Sequence, residues 1–139
     1  MDLKGKKVLV FGAGKSGIGA ADLLGAVGAI PVIYDGNEKL DKESVIHKTN
    51  GSYEVSVYAG ELPEGVKKSL DLVVLSPGVP TDLPLVKSLY ALGLPVWGEV
   101  ELAYRTGKGE VLAITGTNGK TTTTALLGKI MRDARPSVF

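Results

Sequence analysis

Residues capable of phosphate chemistry gather near the C-terminal end. The run Val111-Leu112-Ala113-Ile114 enters Thr115-Gly116-Thr117-Asn118-Gly119-Lys120-Thr121-Thr122-Thr123-Thr124. An apolar run, a glycine turn, a Lys-Thr pair and a helically spaced segment are the parts of a phosphate cradle. Glycines let backbone N–H groups turn toward an anion, and a following helix adds partial positive charge at its N-terminus. Lys120 can neutralise β- and γ-phosphates, and the Thr121 hydroxyl can bind Mg²⁺. Ile114 stands where the general phosphate-loop pattern has its first glycine, so the loop is the shorter Gly-x-x-Gly-Lys-Thr. Consecutive threonines are poor helix interior but suit a first turn, where hydroxyls cap free N–H groups or face a ligand.

A second glycine loop lies near the N-terminus. Val8-Leu9-Val10-Phe11 is a continuous apolar run, as in a strand buried on both faces of a parallel sheet. It opens into Gly12-Ala13-Gly14-Lys15-Ser16-Gly17, a Gly-x-Gly-x-x-Gly motif. A helix is expected from Ile18 to about Val27, stopped by Gly28. The next strand, Ile30 to Tyr34, carries Asp35 at its tip, where spacing suits a ribose hydroxyl. The geometry recognises a diphosphate at a helix N-terminus and does not name the base. A nicotinamide dinucleotide and a UDP-linked compound both remain open on these residues, as does a simple glycine-rich turn.

Further elements are needed to position these loops. Asp41 to about Asn50 reads as a helix stopped by Gly51, with His47, the single histidine, on its surface. Ser52 to Tyr58 alternates weakly, as a third strand. Glu61 to Gly65 reads as loop. Leu70 to Leu75 is a buried strand that stops at Ser76-Pro77-Gly78-Val79-Pro80, a rigid turn at the sheet edge where ligands bind. Asp82 is expected to cap a helix running to about Leu92 and ending at Gly93. Leu94 to Trp97 forms a fifth strand, with Trp97 as packing, and a helix begins over Gly98 to Tyr104. Glu99 and Glu101 alternate rather than share a helical face, so they read as helix-start charge and not as an acid/base pair.

Thr106-Gly107-Lys108-Gly109 reads as a linker. The fold class expected is α/β: a Rossmann-like doubly wound parallel sheet of about five strands over 1–106. The first strand, phosphate loop and helix of a truncated central ATPase domain follow over 107–139. Some thirty residues cannot bury an independent core, so the reading expects a chain cut just after a second domain begins. Sixteen basic and fifteen acidic residues give a net charge of +1, which asks for neither nucleic acid nor an anionic surface. No cysteine is present, so thiolate and disulfide chemistry are excluded. No run approaches the roughly 20 apolar residues of a membrane span. A soluble cytoplasmic protein is the expectation.

The combination resembles the Mur ligases of peptidoglycan synthesis. It is carried by Gly12–Gly17, Leu75-Ser76-Pro77-Gly78-Val79-Pro80, Gly93 to Leu102, and Ile114 to Thr122. The Ser-Pro-Gly-Val-Pro turn with Gly-Glu-Val-Glu-Leu narrows it to the member that adds D-glutamate to UDP-N-acetylmuramoyl-L-alanine. The resemblance implies ATP-dependent amide formation through an acyl phosphate, with positioning and charge neutralisation as the protein's share. It implies that Gly14, Lys15, Ser16 and Gly17 lie against the uridine diphosphate. Asp35, Gly36 and Asn37 would surround the uracil, and Ser76 and Gly78 would approach the sugar or diphosphate. Gly36-Asn37 departs from the family's usual Thr-Arg, so contacts there beyond Asp35 are not carried over. Gly116, Thr117, Asn118, Gly119, Lys120, Thr121 and Thr122 would hold ATP, with Lys120 catalytic on the phosphates and Thr121 on Mg²⁺. The D-glutamate site is expected beyond Phe139, the 139-residue chain is expected to be inactive alone, and the full-length enzyme is expected to be a monomer.

Overall fold

The computed structural model describes residues 2–134. Two compact units divide it, residues 1–107 and residues 108–139. The first holds five parallel strands: β1 Lys7–Phe11, β2 Ile30–Asp35, β3 Ser56–Ala59, β4 Leu72–Leu75 and β5 Val96–Gly98. Their order in the sheet is β3-β2-β1-β4-β5. The α/β doubly wound class read from the sequence is therefore present. The chain first builds outward from β1 through β2 to β3. It then returns to the other side of β1 to lay down β4 and β5, paired Val8 to Leu72 and Val73 to Val96. This reversal makes the crevice beyond the C-terminal ends of β1 and β4 the ligand-binding edge of such a sheet.

Side-chain alternation along β1 explains the two covered faces. Val8 and Val10 pack with Ala20, Ala21 and Leu24 of α1 (Lys15–Ala26), Val45 of α2 (Lys42–Lys48) and Leu102 of α5 (Glu99–Thr106). Leu9 and Phe11 point the other way, into a layer with Val86 and Leu89 of α4 (Pro84–Ala91), flanked by Val66 of α3 (Glu64–Lys68). Val8, Leu9, Val10, Leu72, Val73 and Val74 are fully buried, as the unbroken apolar runs require. The α1 helix ends by bonding Gly28 N–H to the Gly25 carbonyl and Ala29 N–H to that of Leu24, which satisfies two otherwise orphaned carbonyls.

Several boundaries differ from the sequence reading: α1 begins at Lys15 rather than Ile18, β3 covers Ser56–Ala59 rather than Ser52–Tyr58, and β5 is Val96–Gly98 rather than Leu94–Trp97. Glu64–Lys68 is a short helix rather than loop, held by an ion pair between Lys67 and Glu64 at 2.5 Å. Gly65 and Pro63 hid it. Asp82 does not cap α4; the N-cap is Leu83, with Pro84 at the first helical position. Proline there has a preset φ and no N–H to satisfy, and it holds the preceding residue extended. The second helix stops at Lys48 and not Asn50, because Asn50 N–H turns to the Asp22 carboxylate at 3.0 Å.

At the opposite edge of the sheet, Asp71 joins the starts of β1 and β4. It accepts from Lys7 N–H at 2.9 Å and pairs with Lys6 Nζ at 3.0 Å. The Lys7 N–H bond first, then Lys6, hold its carboxyl below the usual aspartate range. A carboxyl depressed in the native state stabilises the fold above its unfolded value of about 3.9 and loses that contribution as pH falls through the folded value. Asp71→Asn should therefore melt earlier than wild type at pH 7. The gap should close as pH drops below about 4. A pH-independent gap in thermal scans would show that charge plays no part.

The second unit contains α6, Lys120–Ala134. Val111–Ile114 forms no strand, contrary to the sequence reading. A β-strand exists only with a hydrogen-bonded neighbour, and none among the described residues pairs with this run. Val111 and Leu112 are exposed. The expectations for residues 135–139 lie outside the described residues. No helix among the described residues is long and apolar enough to cross a membrane.

Candidate functional site: a cleft at the strand C-termini

The glycine loop after β1 is built by close backbone approach. Gly12 N–H bonds the Tyr34 carbonyl at 2.7 Å, which prolongs the β1–β2 ladder by one rung. The chain then turns at Gly12, with φ +116, and enters α1 at Gly14. A Cβ at Gly17 would stand 1.9 Å from the Gly12 carbonyl oxygen. Only a hydrogen allows the helix to start so near the strand. No side chain caps α1, and no acid lies in its first turn. Its leading N–H groups thus keep their capacity for an anion. Lys15 and Ser16 are exposed beside them.

Asp35 ties this loop to the tip of β2. One carboxylate oxygen accepts Ala13 N–H at 3.0 Å, and the other accepts Asn37 N–H at 2.9 Å. The carboxylate shapes the loop and retains lone pairs for a ligand donor. The exposed Asn37 side chain bends back on its own segment, where Oδ1 accepts Lys39 N–H at 3.0 Å. It closes an Asx turn of the Gly36–Leu40 segment. Tyr34 donates its hydroxyl to the Gly60 carbonyl at 2.9 Å. Burial first, then the Asp35 charge, raise that phenol above its ordinary range and keep the donor proton in place.

These parts border a cleft of about 470 Å³. Phe11 and Tyr34, in edge-to-face contact with ring centroids 4.8 Å apart, belong to its lining. Asp35, Gly36 and Asn37 lie along it with Gly78, Val79 and Pro80, and Leu83 to Leu85 complete it. The cleft joins apolar and aromatic surface with a few fixed polar groups, as small-ligand sites do.

The structure brings together Asp35, Gly36, Asn37 and Gly78 on one cleft. Ser76 stands behind Gly12: a Cβ there would be 2.9 Å from Ser76 Oγ. Gly14 to Gly17 form the start of α1 beside this edge. The aromatic pair Phe11 and Tyr34 escaped the sequence reading, because each sits in an apolar run where packing explains it. Glu99 escaped as well. Its carboxylate accepts the Ser76 hydroxyl at 2.7 Å across 23 residues of chain, a separation without local sequence signal. Its neighbour Glu101 instead pairs with Arg105 at 2.8 Å, and Arg105 lies over the Trp97 ring at 4.7 Å.

In the second unit, Gly116 to Gly119 lead into α6 at Lys120. Lys120 Nζ folds back to donate to the Gly116 carbonyl. Thr123 N–H bonds the Gly119 carbonyl at 2.9 Å, and the Thr124 hydroxyl bonds that of Lys120 at 2.7 Å. Thr121 and Thr122 lie exposed in the first turn. The loop thus curls around its own lysine at a helix start with no acid in the first turn. A cationic donor, a hydroxyl and free N–H groups suit a polyphosphate and a hard divalent cation.

The family model for the Mur ligase MurD-like N-terminal domain matches residues 6–98. The chain belongs to this family. Those residues take in the whole sheet, both walls of the cleft and the glycine loop of the MurD-like unit. Among curated relatives, the UDP-N-acetylmuramoylalanine--D-glutamate ligase of Lachnospira eligens is 55% identical over 139 residues. The ligase of the same name from Lachnoclostridium phytofermentans is 53% identical. In each case the match covers 100% of this chain and 31% of the relative, so the MurD-like chain spans about a third of their length. Among solved structures, a pseudomurein peptide ligase type C from Methanothermus fervidus superposes with a TM-score of 0.59 at 22% identity. It covers 94% of this chain and 26% of that one, and shares the fold.

Proposed function

We propose that this chain is the substrate-anchoring N-terminal part of a ligase that adds D-glutamate to UDP-N-acetylmuramoyl-L-alanine in peptidoglycan precursor synthesis. The carrying observation is the cleft between Asp35 and Gly78, beside an uncapped α1 N-terminus, in a chain 55% identical to a ligase of that name. Residues 1–106 form the UDP-substrate domain, and 107–139 the linker and start of an ATP-binding domain. The diphosphate lies at Gly14, Lys15, Ser16 and Gly17, where N–H groups and a lysine meet it. The uracil enters the cleft against Asp35, Gly36 and Asn37, with Ser76 and Gly78 toward the sugar. The Asn37 N–H is held by Asp35, its carbonyl by Leu40 N–H and its Oδ1 by Lys39 N–H, so Asn37 serves this site as part of the cleft wall.

Gly116 to Thr122 hold ATP, with Lys120 on the phosphates and Thr121 on Mg²⁺. Bound ATP supplies the phosphoryl group that activates the alanine carboxylate. The residues of this chain bind and orient the two nucleotides, and the amino-acid site belongs to the remainder of the ligase. The proposal places the complete protein in the cytoplasm, as a monomer, without nucleic-acid or membrane partners.

Isotope-labelled chain titrated with UDP-N-acetylmuramoyl-L-alanine should show amide shifts at Lys15, Ser16, Asp35 and Gly78. NADH at equal concentration should leave them in place. Shifts with NADH and none with the UDP compound would move the cleft to the nicotinamide class.

A further inference from the structure

Ser76 occupies a junction. Its N–H extends the β1–β4 ladder to the Phe11 carbonyl at 3.1 Å, and its carbonyl accepts Val79 N–H at 3.0 Å to close the Ser76–Val79 turn. Its side chain fills the space under the glycine loop, near enough that a Cβ would meet Oγ at 2.9 Å from Gly12 and 3.3 Å from Gly17. A serine side chain has three staggered rotamers of comparable energy. What selects one here is Glu99, whose Oε1 accepts the hydroxyl at 2.7 Å. Hydrogen bonds to a carboxylate are about twice as strong as neutral ones. Glu99 itself does not line the cleft, whereas Gly78, Val79 and Pro80 of the turn do. It occupies the first position of α5, anchored at the helix start. That helix is fixed to the sheet by Leu102, which is fully buried. The carboxylate is thus a strut from a rigid helix to the one turn that walls the cleft opposite Asp35.

We propose that Glu99 is a positioning residue for substrate binding: by accepting the Ser76 hydroxyl it holds the Ser76–Val79 turn against the glycine loop and sets the cleft's width. The proposal rests on the reading of the cleft as a UDP-compound site. Loss of the acceptor frees the Ser76 rotamer and lets the turn drift, so that binding must reorder it. A glutamine keeps an acceptor oxygen at the same reach but removes the helix-start charge. Alanine removes both. The pair therefore separates positioning of the hydroxyl from a general contribution of charge to α5.

The test is calorimetric titration of the 139-residue chain with UDP-N-acetylmuramoyl-L-alanine, alongside amide spectra of the ligand-free protein. Glu99→Ala should weaken binding about tenfold, a change of about 1.4 kcal/mol. Glu99→Gln should stay within about threefold of wild type, or about 0.65 kcal/mol. Ser76→Ala combined with Glu99→Ala should cost no more than the larger single change, since both break one contact. In ligand-free spectra, Glu99→Ala should shift Gly12, Gly17, Ser76 and Gly78, and Glu99→Gln should return them toward wild type. Equal losses for alanine and glutamine, or additive losses in the double variant, overturn the proposal. So does a folded Glu99→Ala that binds as wild type. If the wild-type chain binds no UDP compound, the functional reading fails. The ligand-free shifts then decide the strut alone: movement confined to those four residues and rescued by glutamine supports it, and unchanged shifts overturn it.

Discussion

Gly17→Ala is expected to destabilise the first unit by about 3 kcal/mol, at the upper end for an overpacked site, and to abolish ligand binding at the glycine loop. The added methyl would lie 1.9 Å from the Gly12 carbonyl oxygen and 2.9 Å from its carbon. Both are backbone atoms, so no rotamer change relieves the clash. Either α1 must slide away from β1 or the Gly12 peptide must rotate. Sliding α1 unpacks Ala20, Ala21 and Leu24 from the sheet, and all three are buried. Rotating the Gly12–Ala13 peptide breaks the Ala13 N–H bond to Asp35 and displaces the N–H groups that would face a diphosphate. At 4–8 °C per kcal/mol for a unit of this size, the melting temperature should fall by about 15 °C. Gly19→Ala is the matched control. It lies inside the same helix, and a Cβ there meets nothing within 4 Å. Alanine is favoured over glycine in helix interiors by about 0.8–1.0 kcal/mol, so this variant should melt later than wild type. Similar melting for the two variants would mean that the approach of α1 to β1 is looser than the structure shows.

That contrast bears on what the sequence could reveal. The spacing Gly12, Gly14, Gly17 after an apolar run predicted a strand, a tight turn and a helix, because few alternatives accommodate three glycines in that register. The buried runs Val8–Phe11 and Leu72–Leu75 were legible for the same reason: apolar residues on both alternating faces demand cover on both. The apolar run Val111–Ile114 carried the same signal and forms no strand, since local pattern states a preference and a ladder needs a partner. Capping was misread at Asp82 because an acid near a helix start is a common cap, yet Pro84 two residues later dictates the start sterically. The cleft was half legible. Asp35 and Gly78 stand at strand ends, where parallel-sheet topology collects ligands. Phe11 and Tyr34 carry no mark that separates a lining aromatic from a core one. Glu99 shows the sharper limit. Its partner Ser76 is brought to it by the β4–β5 pairing, a tertiary event that no spacing in the chain encodes.

Asp35→Asn should weaken binding of UDP-N-acetylmuramoyl-L-alanine at least tenfold and destabilise the first unit by about 2 kcal/mol. Asparagine nearly matches aspartate in shape, so the effect isolates hydrogen-bond polarity. In the native structure both carboxylate oxygens accept backbone N–H groups, Ala13 on one side and Asn37 on the other. An asparagine has one acceptor oxygen and one donor nitrogen. Whichever way it flips, one backbone N–H loses its acceptor and faces another donor. Hydrogen bonds to ionised groups contribute about 1.5–3 kcal/mol each, and a stranded donor adds its own desolvation cost. If the amide keeps Ala13, the Gly36–Leu40 turn opens and that side of the cleft is lost. If it keeps Asn37, the glycine loop loosens ahead of α1 and the diphosphate end suffers. The Ala13 and Asn37 amide resonances report which occurs, and amide exchange should accelerate at the abandoned one. Asn37→Ala provides the boundary. It removes only the side-chain acceptor for Lys39 N–H, an exposed neutral bond worth about 1 kcal/mol or less. It should leave affinity within about threefold, because Asp35 keeps both backbone N–H bonds that shape the cleft. An Asp35→Asn chain that binds as tightly as wild type would show that the two loops hold their places without the bridge. The cleft would then owe its shape to the Phe11–Tyr34 contact and the Tyr34 bond to Gly60, and Tyr34→Phe would become the variant that opens it.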